Sequence, residues 1–253
     1  MGPIIGEGRS LSAYLEKESK AAEESQKHWK PEFEAYSQLT DLYMRFTAMI
    51  KIDDRSREIP GGLLLVVEGQ MLGVASQLLR RRLVDAQMLT RRAIEATATA
   101  YFLWKNPQLR KVFENAYPNF NKEGDPKRWL PSNVYREKFK TTKLFDHPGE
   151  TWSALSRAYA IVSAKASHAG PGAMIPHKYK DGYCSLSFFD KDDVEIRRSW
   201  HFLMGAYWNM LRVFLAMMRS TAEANNMRVF EDDMKIWHAT WAKLFKERSY
   251  WLN

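Results

Sequence analysis

The chain of 253 residues is notable first for what it lacks. It holds one cysteine, Cys184, so no internal disulfide can form and nothing calls for an oxidising compartment. Its start, "MGPIIGEGRS", has no basic segment leading into an apolar one, which argues against a secretory leader and for the cytoplasm. The six histidines, His28, His147, His168, His177, His201 and His238, form neither H-x3-H nor H-E-x-x-H, and "DKDD" lacks the spacing of a calcium loop. No metal site and no cofactor are therefore expected. G-x-S-x-G, the phosphate loop G-x-x-x-x-G-K-S/T and G-x-G-x-x-G are all absent, which argues against common hydrolases, ATPases and dinucleotide enzymes. No repeat and no low-complexity tract breaks the sequence.

Acidic residues are in deficit. Thirty Asp and Glu against 38 Lys and Arg give a net charge of +8. That balance suits an anionic partner such as RNA or a nucleotide, and equally a basic but ordinary surface. Hydrophobic residues make up 45% of the chain, enough for a substantial core. The most apolar run, "GGLLLVVEGQMLGVASQLL", is interrupted by Glu68, Gln70 and Gln77 and reads as a buried soluble helix, not a membrane span. No membrane partner is expected.

Periodicity predicts an all-α chain, an antiparallel helical bundle with extra N- and C-terminal helices and one short strand or hairpin near 175–190. Residues 1–30 read as an exposed helix or arm, and 31–253 as a single bundle domain. Phe33, Tyr36, Thr40, Tyr43, Thr47 and Ile50 share one helical face after Pro31. "DDRSREIPGG" reads as a break before a helix from about Leu63 to Arg81, in which Gly69 and Gly73 would let another helix approach. Arg80, Arg81 and Arg82 at its end suit the helix dipole, or else form a phosphate-binding cluster.

Ala86, Leu89, Ala93, Ala96, Ala100 and Leu103 form the clearest stripe, ended by Asn106 as N-cap and Pro107 at the first position of the next helix. A loop follows, then a short basic helix with Arg136, Lys138, Lys140 and Lys143. Trp152, Leu155, Tyr159, Val162 and Ala166 mark a helix over 148–167. "GYCSLSFFD" is the strand candidate, and Asp192 with Glu195 an approximate capping pair. Ile196, Trp200, Leu203, Tyr207, Leu211, Phe214 and Met218 form the seam of a long helix from about Asp193 to Asn225. The last helix carries Phe230, Met234, Trp237, Trp241 and Phe245. The Met and Trp residues of these seams read as core.

Arg91 and Glu95 stand one turn apart in an otherwise apolar helix, so their side chains meet and pair with each other or with another helix. His168, where the helix breaks on Ala-Gly-Pro-Gly, is a potential partner. It either ends the helix, where a protonated imidazole suits the orphan carbonyls, or is a functional group. Arg91, Glu95 and His168 are the candidate ligand-binding residues. With Arg157 they are also the candidate catalytic ones.

The segment "LLRRRLVDAQMLTRRAIEATATAYFLWKNP" resembles the central helical hairpin of an uncharacterised bacterial family near the HEPN superfamily, with Arg91 and Glu95 matching its Arg and Glu. "LSRAYAIVSAKASHAGPG" and "GYCSLSFFDKDD" resemble its Ser/His helix end and the extended segment beyond, and the similarity spans about Leu63 to Met218. The resemblance implies an all-α, HEPN-like core, a homodimer, and membership among proteins that include metal-independent ribonucleases of mobile-element and defence systems as well as non-catalytic RNA or nucleotide binders. Its nucleases carry Arg and then His after four to six residues. Here Arg157 precedes His168 by roughly 16 Å of helical rise, and Arg197 and His201 stand one turn apart. Neither pair has that spacing.

Three functions follow as expectations. The first is non-enzymatic binding of a protein, RNA or nucleotide. The second is a ribonuclease with His168 as general acid–base and Arg91 or Arg157 stabilising charge. The third is a small-molecule pocket between helices lined by Trp and Tyr.

Overall fold

The computed structural model describes residues 5–6, 10–49, 55–119, 121, 123, 125–166, 177–180, 183–186, 192–218 and 224–247. The chain is all-α, with helices α1 (Leu11–His28), α2 (Lys30–Met49), α3 (Arg55–Leu79) and α4 (Leu83–Lys105) in its first half. Short helices α5 (Arg110–Glu114), α6 (Asn133–Lys138) and α7 (Thr141–Leu144) follow, then α8 (Glu150–Ala166), α9 (Asp193–Met218) and α10 (Ala224–Glu247). One small sheet accompanies them. Strands β2 (His177–Lys180) and β3 (Tyr183–Leu186) form the expected hairpin, with Tyr179 opposite Cys184, and β1 (Ile5–Gly6) adds to β3 in parallel.

The core lies where α2, α3, α4, α8 and α9 meet. Trp29, Tyr36, Tyr43, Phe46, Trp200, Tyr207 and Phe214 are its largest fully buried side chains. Burying each contributes roughly 1.5–3 kcal/mol or more, as apolar surface leaves water. Two of the buried tyrosines also satisfy their polar tips. Tyr36 donates to the Met71 carbonyl at 2.9 Å and Tyr43 to the Tyr207 carbonyl at 2.7 Å, tying α2 to α3 and to α9. Burial, together with neighbouring phenols, pushes the pKa of both well above the ordinary tyrosine range.

Most of the stripes read from periodicity are buried as expected, because each faces another helix. Ile50 lies outside the described residues. Several boundaries differ. The segment read as a break, "DDRSREIPGG", is helical from Arg55, with Pro60 inside α3. Proline removes one N–H, but its fixed φ is helical, and in the second turn the loss is a single bond. The first turn is held by Glu58, which binds Arg110 at 2.7 Å. Asn106 does not cap forward; its side-chain amide donates back to the Phe102 carbonyl at 2.9 Å, and a 3₁₀ turn over Pro107–Leu109 precedes α5. The basic helix is two short ones, α6 and α7. The long last seam is also two elements, since Ala224 and Asn225 belong to α10. Asp192 caps α9 as read, accepting from the backbone N–H of Val194 and Glu195.

Gly69 and Gly73, one turn apart on α3, have different uses. A Cβ on Gly73 would meet Leu89 Cδ1 at 3.0 Å, so this glycine is what lets α4 approach. A Cβ on Gly69 would meet nothing within 4 Å. The three arginines after α3 are ion-paired within the chain. Arg80 and Arg82 reach Glu18 of α1 at 3.7 and 3.4 Å, and Arg81 binds Asp193 at the start of α9 at 2.5 Å. Arg81 has φ 59°, the left-handed residue that closes the helix: the Arg82 N–H reaches the Gln77 carbonyl and the Arg81 N–H the Leu78 carbonyl.

His147 is wedged between Tyr101 and Trp152, ring centroids 4.7 and 4.6 Å away. Burial lowers its pKa; nearby Asp146 opposes the shift and Lys105 adds to it. A folded pKa below the unfolded value of about 6.5 means that the unfolded chain takes up the proton first. This contribution to stability is therefore complete above about pH 6.5 and is lost as pH falls through the folded value. His147→Phe is expected to flatten the fall in melting temperature between about pH 7 and pH 5. A variant curve as steep as the wild type would show that His147 is not its source.

Candidate functional site

Arg91 and Glu95 do meet on one face of α4, with Arg91 Nε 3.0 Å from Glu95 Oε1. Their further partner is Tyr159 of α8. Its hydroxyl donates to Glu95 Oε1 at 2.9 Å and accepts from an Arg91 terminal nitrogen at 3.3 Å. The guanidinium also sits 5.5 Å from the centroid of the Tyr159 ring. Partial burial works against the Arg91 charge, but the bond to Tyr159 and the Glu95 carboxylate outweigh it and hold the pKa above the ordinary arginine value. This triad joins α4 to α8 through groups already bonded to one another. His168 lies outside the described residues.

Arg157 is not part of this cluster. It stands two residues before Tyr159, roughly 200° away around α8. It lines instead a pocket of about 480 Å³ between α8, α9 and α10. Gly205, Ala206 and Ala158 contribute small residues to its lining, while Phe202, Trp241 and Phe245 provide aromatic surface. A Cβ on Gly205 would stand in ordinary van der Waals contact with the Trp241 indole, 3.5 Å away, so the ring lies close over this stretch of α9. Arg157 and Arg198, both exposed, place two guanidinium groups in the same lining. The volume falls within the range of small-molecule sites, roughly 300–1,000 Å³. Its chemistry is apolar and aromatic within, cationic beside.

His201 also lines this pocket and is itself almost fully buried. Its ring meets Phe245 edge-on, centroids 5.1 Å apart. On its other side lies Glu32 of α2, fully buried, with Oε1 3.9 Å from His201 Nε2 and 3.5 Å from Arg197 Nε. Arg197 in turn lies over Trp29, 4.8 Å from the ring centroid. A buried carboxylate in the core is expensive unless partners face it; the Arg197 guanidinium does so, and His201 stands one turn further along α9.

The Trp residues of α10 were read as core, and Trp237 is: its indole N–H donates to the Ala35 carbonyl at 2.8 Å. Trp241 differs, being partly exposed in the pocket and stacked on Trp237 at 5.7 Å with planes 9° apart. Sequence reading missed Glu32, Arg197, Arg198 and His201 as site residues. One signal was present. Glu32 precedes the apolar Tyr36 by one turn, so the acid falls on the stripe that must be buried.

No family model matches the chain, and no curated protein and no solved structure matches it significantly. The reading of this site therefore rests on its residues.

Proposed function

We propose that the protein acts by binding, without catalysis, and that the pocket between α8, α9 and α10 takes an anionic ligand with a flat aromatic body, a nucleotide or the end of an RNA strand. The observation that carries this reading is one pocket combining Trp241, Phe245 and Phe202 with Arg157 and Arg198. An aromatic wall stacks a base, and guanidinium groups bind phosphate through charge-assisted hydrogen bonds. The net charge of +8 would draw such a ligand in. The HEPN-like resemblance agrees with a nucleotide- or RNA-binding role.

The test is calorimetric titration of the full chain with nucleoside monophosphates and with a short single-stranded RNA over a salt series, followed on a gel for cleavage. Binding that weakens as salt rises is expected. Arg157→Ala with Arg198→Ala should weaken it at least about tenfold, a loss of ~1.4 kcal/mol. Trp241→Leu should cost about 1–3 kcal/mol of stacking. Binding that ignores all three substitutions would remove the pocket from the account. RNA cleavage would overturn the non-catalytic part and favour a metal-independent ribonuclease. Binding of uncharged aromatic compounds alone would favour a small-molecule pocket of another class.

A further inference from the structure

Helix α3 is buried on one side only. Leu64, Val67, Met71, Val74 and Leu78 face the core, while Leu65, Val66 and Leu72 remain 53%, 44% and 54% exposed. Residues 58–79 hold an 18-residue window of mean hydropathy 1.5, 28% of it buried, enough in length and composition to cross a membrane. Glu68, which interrupts the run in sequence, does not interrupt the outer face; it turns to α2 and accepts from Thr47 at 2.8 Å.

The outer face has an order of its own. Gly62, Gly69 and Ser76 recur every seventh residue, and Leu65 and Leu72 recur at the same interval beside them. Small and large columns therefore run side by side along the helix. Gly62 and Gly69 have open space where a side chain would be, so neither is needed for packing within the chain.

We propose that α3 is a self-association surface, through which two copies pair antiparallel about a twofold axis near the Gln70–Met71 level. In that register Leu72 of one copy fills the space over Gly69 of the other, and Leu65 lies against Ser76. A parallel pair would set leucine on leucine and leave a gap at each glycine layer. The charges agree with the antiparallel choice. Glu58, in the first turn on the leucine column, pairs with Arg110 and keeps a largely exposed side chain, and Arg80 and Arg82, which follow the helix and pair with Glu18, are about one-third exposed. Pairing head to tail brings the acid of one copy near the bases of the other, and opposes the helix dipoles. A parallel pair would bring the two arginine clusters together.

A stable dimer covers about 800 Å² on each partner. A stripe of roughly 21 Å by 10 Å is less than that. The neighbouring helices therefore take part. Met88 is exposed on α4 beside the Leu89 that Gly73 packs against. Leu15 is exposed on α1, one turn before the Glu18 that binds Arg80 and Arg82. This surface lies on helices other than those lining the pocket, so the inference stands or falls independently of ligand binding.

Sedimentation velocity of the full chain over a concentration series tests it. The expected result is a reversible dimer. Leu72→Glu and Gly69→Leu, both at exposed positions, should each raise the dimer dissociation constant at least about tenfold while the circular dichroism spectrum stays unchanged. A spin label on Gly62→Cys in a Cys184→Ser background should report an intermolecular separation of roughly 26 Å along the helix axis. A monomer at every concentration would overturn the proposal. So would a dimer indifferent to both substitutions, or a label distance near the roughly 8–10 Å of a parallel pair. Monomeric protein that co-sediments with phosphatidylcholine–phosphatidylserine vesicles, and loses this with Leu72→Glu, would assign the face to a membrane surface instead.

Discussion

Arg197→Ala should destabilise the fold by about 3–5 kcal/mol, the usual loss when one member of a buried ion pair is removed. The carboxylate it faces, Glu32, has no exposed surface, and Arg197 Nε approaches it to 3.5 Å. Removing the guanidinium leaves the negative charge in a low-dielectric interior, where its attraction to a nearby cation had offset the cost of lost hydration. The arginine also lies over the buried Trp29 ring, so that contact goes too. Glu32→Leu should cost a comparable amount for the converse reason. The double change to leucine at both positions should cost less than the two single changes added, because no lone charge remains. Urea denaturation of the four proteins measures this directly. Additive losses would show that the two groups do not interact.

Trp237→Ala should cost about 3–5 kcal/mol, with the damage concentrated on α10. This one side chain holds α10 down in three ways. It donates a hydrogen bond to the Ala35 carbonyl of α2 at 2.8 Å, stacks on Trp208 of α9 at 5.2 Å, and carries Trp241 on its other face. The Arg45–Asp233 pair, 2.6 Å apart and largely in solvent, adds little once Trp237 is gone. Amide hydrogen exchange should therefore quicken along α10 while α4 keeps its protection. Because Trp241 loses its platform, ligand binding in the pocket should weaken in the same variant. Uniform loss of protection across all helices would mean that α10 and the rest of the bundle open together.

The sequence made the helices legible where each buries one regular stripe. Tyr36 and Tyr43 on α2, the alanines of α4 and the aromatic seam of α9 all repeat at the helical period because each helix turns one side to the common core. Legibility failed where structure depends on distant groups. Pro60 looked like a break, yet Glu58 and Arg110 hold the turn around it. Arg91 and Glu95 were legible as a pair, but the third member, Tyr159, stood on an apolar stripe and gave no sign that its hydroxyl would reach them. Arg157 was singled out for its distance from His168 along the chain. What the fold gives it is a place opposite Trp241 and Phe245, on helices that no local pattern could have joined to α8. Gly69 and Gly73 looked alike in sequence and are not, since only one of them has a neighbour.

The small sheet joins distant parts of the chain. Ile5 pairs with Ser185, with the helices from α1 to α8 strung between them. Closing so long a loop costs only slightly more entropy than closing one half its length, about 0.6 kcal/mol, but it cannot be rewarded until the intervening helices have packed. The strand of two residues has too few bonds to start such a closure. The sheet is thus expected to close last, as a clasp on an assembled bundle, and pulse-labelling hydrogen exchange should protect α3 and α4 before β3.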